Sequence, residues 1–147
     1  MAFWHAEWCA LVKYLLDSSI IVAAIKGRLP VVVKLSALKP DDVAVSIIGR
    51  MEAEVGLRGN TRLQGKYAKL LRDFFANVRV LDFGAAEAQQ AMTLGTYLQQ
   101  GDERLDAYGL LIAGTALAHQ LTLVTEDTAA YMQVPGLETQ NWLRQAL

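Results

Sequence analysis

Of the fifteen acidic residues in this 147-residue sequence, Asp17, Glu52 and Asp127 stand where a sheet could gather them. Asp17 ends an apolar run made of Val12 and Tyr14 to Leu16, and two serines follow it. Asp127 comes just after the apolar run 121–125, and Glu126 beside it is the weaker candidate. Glu52 lies one turn into a helix that follows the run 43–46, whereas Glu54 points to a different face. A carboxylate at the carboxyl end of a buried strand, on a strand-to-helix turn, lies where open α/β sheets place their ligands. Carboxylates crowded together repel one another unless a cation compensates. Hard divalent ions, Mg²⁺ or Mn²⁺, take oxygen ligands, and Mg²⁺ commonly uses one or two carboxylates with waters and substrate phosphates. Such an ion generates a hydroxide nucleophile and clamps the oxygens of an in-line phosphodiester displacement. The competing structural reading is that Asp17 merely caps the next helix.

The elements that must position these groups read as strands separated by helices. After the first strand, helical segments are expected over 20–26, ended by Gly27, and over 29–38, where Pro30 is tolerated in a first turn. A turn at 40–42 leads to a strand over 43–46, then to a helix over 48–57 broken by Gly59 and Asn60. Thr61 is the expected cap of a helix over 62–75, with Leu63, Leu70, Leu71 and Phe74 on its apolar face. A third strand over 78–81, helices over 85–99 and 110–119, a polar loop over 101–106 and a fourth strand over 121–125 follow. Val134-Pro-Gly-Leu137 leads to a short final strand, and Trp142 is placed to cover a sheet face. This alternation predicts a three-layer α/β/α fold with a mainly parallel central sheet. Right-handed crossovers would put the strand ends that carry the carboxylates on one edge.

Composition narrows the functional classes. Net charge is −1, so a nucleic-acid footprint has to be local. Arg58, Arg62, Lys66 and Lys69 supply such a stripe at three-or-four spacing, with a solvated helix face as the competing reading. One cysteine, Cys9, excludes an internal disulfide framework and fits a reducing compartment. No apolar run reaches the ~18 residues of a spanning helix. The start lacks a basic region, and Glu7 interrupts its apolar residues, so a cytoplasmic location without membrane contact is expected. Residues 1–11, with Trp4, Trp8 and His5, read as an appendage to one domain over 12–147. His5 and His119 lack a two-histidine metal spacing, and no nucleophile elbow, phosphate-cradling loop or Cys-x-x-Cys pair occurs.

Five stretches, in order, carry a family likeness. Leu15-Leu-Asp-Ser-Ser-Ile20 resembles the opening Leu-Asp-Thr-Asn-Ile motif of PIN domains of the VapC toxin type. Ser46-Ile-Ile-Gly-Arg-Met-Glu52-Ala-Glu-Val-Gly56-Leu resembles the second motif, Ser-x-Ile-Thr-x-x-Glu-Leu-x-x-Gly. Leu110-Leu-Ile-Ala-Gly-Thr-Ala-Leu-Ala118 resembles the third, Leu123-Val-Thr-Glu-Asp127 the fourth, and Val134-Pro-Gly-Leu137 with Asn141-Trp142 the usual ending. The resemblance implies a metal-dependent endoribonuclease, usually dimeric, neutralised by a small VapB-type antitoxin. It implies Asp17, Glu52 and Asp127 as catalytic, Mg²⁺- or Mn²⁺-holding residues, supported by Ser18, Ser19 and Thr125. Ser18 and Ser19 stand where Thr and Asn are common, and their hydroxyls can still bond a carboxylate or water.

One departure bears on activity. Family members carry an aspartate immediately before the apolar run 110–113, and this chain has Gly109 there. Asp106, one helical turn earlier, could substitute as a ligand because i and i+3 share a face. The competing reading, a cap of the helix from Ala107 onward, is the simpler one. With that ligand missing, the alternative is a PIN-like module that binds RNA or an antitoxin without cutting.

Overall fold

The computed structural model describes residues 12–101 and 105–144, without the side chains of Leu63 and Gln64. The expected appendage over 1–11 and part of the polar loop, 102–104, lie outside the described residues. The short apolar runs pair as strands β1 (Tyr14–Leu16), β2 (Val43–Ser46), β3 (Arg79–Leu81), β4 (Thr122–Val124) and β5 (Thr139–Gln140). Their order is β3-β2-β1-β4-β5, and every pairing is parallel. From β1 the chain builds outward to β2 and β3, then crosses back to add β4 and β5 on the other side. Ligand crevices of open α/β sheets form at such a reversal, here between the carboxyl ends of β1 and β4. In register, Leu16 faces Val45 on one side and Val124 on the other.

Among the described residues, helices α1 (Ser18–Ile25), α2 (Leu29–Ser36), α3 (Ile47–Arg58), α4 (Thr61–Asn77), α5 (Ala85–Gln100) and α6 (Ala107–His119) fill the connections. Strand side chains alternate between faces, so neighbouring leucines enter different cores. Leu16, Val43 and Val45 pack with Ile20, Ile21, Ala53 and Leu71 from α1, α3 and α4. Leu15, Ala44 and Leu123 pack with Leu94, Leu98, Ile112 and Ala116 from α5 and α6. Two cores on one sheet make the three layers. Trp142 is buried against the first core and meets the Tyr14 ring edge-on at 5.3 Å.

Local details of α4 differ from the sequence expectation. Its cap is Asn60, whose side chain accepts from Arg62 N at 3.0 Å, rather than Thr61. Its buried face is Tyr67, Leu71 and Phe75, spaced four apart, while Leu70 is 48 % exposed. Leu71 continues the buried row, and Leu70, one position earlier, is turned toward solvent.

The α5–α6 crossing is tight. A Cβ at Gly114 would lie 2.9 Å from Ala91 Cβ and 3.0 Å from both Ala91 N and the Glu87 carbonyl, so only glycine fits. Glu87 secures the same crossing by accepting from Gly84 N at 2.8 Å and meeting His119 Nε2 at 2.7 Å. The Gly84 N–H, with His119 adding to it, holds the Glu87 carboxyl below its ordinary range. None of the described helices is long and apolar enough to cross a membrane.

Candidate functional site

A pocket of about 230 Å³ opens beside the carboxyl ends of β1 and β4. Asp17, Glu52, Asp106 and Asp127 all line it, together with Ser18 and Thr125. Each carboxylate is delivered by a different piece of local structure. Asp17 closes β1 and caps α1, its Oδ1 accepting from Ile20 N at 3.1 Å and Ser19 Oγ at 2.6 Å. Glu52 rides on α3, whose start is fixed by Ser46 Oγ accepting from Ile48 N and Gly49 N at 2.9 and 3.0 Å. Asp127 caps the 3₁₀ turn Thr128–Tyr131 by accepting from Ala130 N at 3.2 Å. Its own N–H donates to Thr125 Oγ1 at 3.1 Å. Asp106 caps α6 by accepting from Gly109 N at 2.6 Å.

The capping and site readings of the aspartates therefore coexist. An ionised carboxylate has about four lone-pair directions, and a cap uses only part of them. Capping also fixes the rotamer, so each carboxylate is held in place before any ligand arrives.

Crowding shows in the protonation equilibria. Burial pushes the Asp17 carboxyl above its ordinary value, and hydrogen bonds from Ser19, Thr125 and the Ile20 N–H pull against that. Burial also raises Glu52, with the Asp106 and Asp17 charges adding to it and the Ser18 hydroxyl opposing it. The Tyr131 phenol is raised by burial and then by Asp17, Asp106, Glu52 and Asp127. One hydroxyl thus feels all four carboxylates. No lysine, arginine or histidine is among the described residues lining the pocket.

Other sequence candidates fall elsewhere. Ser19 does not line the pocket but holds Asp17, and its Oγ accepts from Glu126 N at 3.3 Å. Glu126 is outside the pocket lining, its carbonyl accepting from Asn141 Nδ2 at 3.2 Å. Glu54 faces away and pairs with Arg50 and Arg58, each at 3.0 Å. Arg58 ends α3 in that pair, before Gly59 and Asn60 interrupt the helix, so the four-residue basic stripe is not continuous. Arg62, Lys66 and Lys69 are exposed on α4, and Lys66 Nζ lies 5.3 Å from the Tyr67 ring centre.

Two pocket residues escaped the sequence reading. Tyr108 and Tyr131 both line the pocket, yet neither belongs to an acidic or histidine spacing that marks a reactive group. Tyr131 reaches the carboxylates only because the turn after β4 folds back toward α6, and no local pattern encodes that approach.

The donor set suits a hard divalent ion. It offers carboxylate and hydroxyl oxygens, it has no cationic side chain, and its mutual repulsion is relieved by positive charge. Among the described residues, no three His, Cys, Asp or Glu side chains form a ready-made metal cage.

Known proteins are similar to this chain over most of its length. The chain is 25% identical over 132 residues to the tRNA(fMet)-specific endonuclease VapC of Shigella flexneri, covering 90% of this chain and 99% of that protein. It is 29% identical over 131 residues to ribonuclease VapC2 of Rickettsia felis, covering 88% and 97%. The crystal structure of VapBC2 from Rickettsia felis bound to a promoter DNA fragment contains a similar chain. The TM-score is 0.79 at 28% identity, covering 89% of this chain and 99% of that one. The PIN domain model matches residues 14–134, which span the sheet from β1 past β4 and all four pocket carboxylates, and the chain belongs to the PIN domain family.

Proposed function

We propose that this PIN domain is a VapC-type toxin ribonuclease that hydrolyses RNA phosphodiester bonds with Mg²⁺ or Mn²⁺ and is restrained by a VapB-like antitoxin. The observation that carries the reading is the meeting of four carboxylates in one pocket that its described residues line without a cation. The named ribonuclease relatives, matched over nearly their full length, support the reaction. A VapBC complex among the similar structures supports the antitoxin. Asp17, Glu52 and Asp127 would hold the ion, directly or through water, with Asp106 as a substitute for the side chain missing at Gly109. When bound, the ion supplies charge neutralisation and an acidified water.

The chain's own residues do the positioning. Ser19 Oγ donates to Asp17 at 2.6 Å, which orients that carboxylate, and the Thr125 and Ser18 hydroxyls favour the ionised forms of Asp17 and Glu52. Burial of Asp17 strengthens its interaction with any charge that enters the pocket. Arg62, Lys66 and Lys69 would meet RNA phosphates away from the pocket, and a homodimer is part of the same reading.

The test uses purified protein, diverse RNA and titrated Mg²⁺ or Mn²⁺, with Asp17→Asn as the matched control. Asparagine keeps the cap of α1 and removes the charge. Cleavage should fall by at least about 100-fold, the scale of losing a main electrostatic contributor at a reacting centre. A folded parent that leaves every RNA intact at saturating ion would hand the case to the non-cutting binding module. Cleavage that survives Asp17→Asn would come from another site or a contaminant.

A further inference from the structure

An acidic pocket that acts on RNA has to hold an anion. Four carboxylates repel a phosphodiester, and no lysine, arginine or histidine is found among the described lining residues. Neutral donors are also heavily committed. The Ser18 hydroxyl lowers the Glu52 carboxyl and the Thr125 hydroxyl lowers that of Asp17, while Thr125 Oγ1 also accepts from Asp127 N at 3.1 Å. The Gly109 N–H goes to Asp106, and the Ala130 N–H to Asp127. The other side-chain donors among the described lining residues are the phenols of Tyr108 and Tyr131.

These two phenols are held very differently. Tyr108, in the first turn of α6, is 45 % exposed. Tyr131 is 8 % exposed, with its ring in the second core beside Ile112 and Leu105. Its hydroxyl oxygen lies only 3.3 Å from where a Cβ at position 109 would be. The glycine that removes one acidic side chain therefore leaves the Tyr131 hydroxyl its place at the pocket wall.

We propose that the Tyr131 hydroxyl, seated beside Gly109, donates a hydrogen bond to a phosphate oxygen of RNA bound over the carboxylate cluster. This rests on the nuclease reading of the pocket. Tyr131 adds a donor without adding a charge, so it holds the anion without competing with a divalent ion for the carboxylates. A hydrogen bond to an ionised oxygen is roughly twice as strong as a neutral one, and the core fixes this donor before substrate arrives. Because it touches the substrate phosphate, Tyr131 is a catalytic residue in this scheme.

Tyr131→Phe removes the hydroxyl and keeps the ring. The experiment compares cleavage of single-stranded RNA by the parent and Tyr131→Phe. It also compares equilibrium RNA binding by Asp17→Asn and Asp17→Asn/Tyr131→Phe, where the cleavage step is disabled. Mn²⁺ affinity and the thermal midpoint are measured for all four proteins. The expected result is a loss of roughly 10- to 100-fold in kcat/KM, the scale of one hydrogen bond to a charged group. RNA binding should weaken by about tenfold in the Asp17→Asn background, the scale of one hydrogen bond to a charged group. Mn²⁺ affinity and the midpoint should stay unchanged. Unchanged kcat/KM in a parent that cleaves RNA overturns the role of Tyr131 and leaves the nuclease reading intact. A drop in Mn²⁺ affinity also overturns it, since the hydroxyl would then serve the ion. Should the parent cut nothing, the nuclease reading fails by itself and the binding comparison decides. Equal RNA affinities reject the Tyr131 donor, and weaker binding by the double variant retains it as an RNA contact.

Discussion

Gly109→Asp supplies the side chain that the motif resemblance leads one to expect at this position, and the structure sets the cost of doing so. A Cβ there would lie 2.9 Å from Asp106 Oδ1 and 3.3 Å from the Tyr131 hydroxyl oxygen. The first distance is too short to stand, so the Asp106 carboxylate, the end of a flexible side chain, must shift and weaken or give up its bond to the Gly109 N–H, now 2.6 Å. Losing a helix cap costs about 0.5–2 kcal/mol. A new carboxylate in the first turn of α6 returns ~0.3–1 kcal/mol through the helix dipole. A further negative charge in an acidic pocket cancels part of that return, leaving the ion-free variant roughly 1 kcal/mol less stable. For a chain of this size that is a drop of about 2–8 °C in thermal midpoint. If the new carboxylate joins the cluster and tightens Mn²⁺ binding about tenfold, saturating ion adds ~1.4 kcal/mol more to the variant than to the parent. The two midpoints should then differ in EDTA and converge in Mn²⁺. Calorimetric titration of Mn²⁺ reads the affinity directly, and RNA cleavage should rise with it. A variant that matches the parent in EDTA and gains no more from Mn²⁺ would refute both the crowding at Asp106 and the shared cluster.

Two further expectations follow from named contacts. The raised Asp17 and Glu52 carboxyls bind protons more tightly in the folded state than in the unfolded one. Their contribution is full below the unfolded values and is lost as pH rises through the folded ones. Glu87, held low by the Gly84 N–H, works in the opposite sense and loses its contribution as pH falls through its folded value. In EDTA the midpoint should therefore fall as pH rises above the ordinary carboxylate range. Asp17→Asn/Glu52→Gln should flatten that fall, and millimolar Mg²⁺ should suppress it; an identical slope in the double variant would show that other groups cause it. Gly114→Ala should cost about 1–3 kcal/mol by forcing α5 and α6 apart, since the new Cβ meets backbone atoms at 3.0 Å. Denaturant unfolding measures that loss, and activity per folded molecule should stay at the parent level.

Much of the architecture was legible because it depends on local chemistry. Short apolar runs bounded by Asp17, Ser46 and Thr125 are too short for ordinary helices and fit buried strands, and the segments between them carry helical spacing and caps. The run 43–46 was read with its observed bounds, and the Asp17, Glu52 and Asp127 positions fell at strand ends or one turn beyond. Where several polar residues competed for one local role, the sequence alone left the choice open. Thr61 was the expected cap of α4, and the chain's path into the helix gave that role to Asn60, an equally good cap. Arg58 could continue a basic stripe on paper, but the break at Gly59 and Asn60 and the pair with Glu54 separate it from Arg62.

The sequence by itself determined which residues become strands and helices and which carboxylates end up near the strand tips, since periodicity and capping act over a few residues. Tertiary structure decided what those carboxylates meet. Asp106 is both an α6 cap and a pocket wall, because α6 packs beside the β1–β4 crevice. Tyr131 stands beside Gly109 across 22 positions of sequence, because the turn after β4 returns to the start of α6. That meeting is set within the second core, where Tyr131 and α6 lie together on one face of the sheet, and packing between distant segments leaves no period in the chain to read.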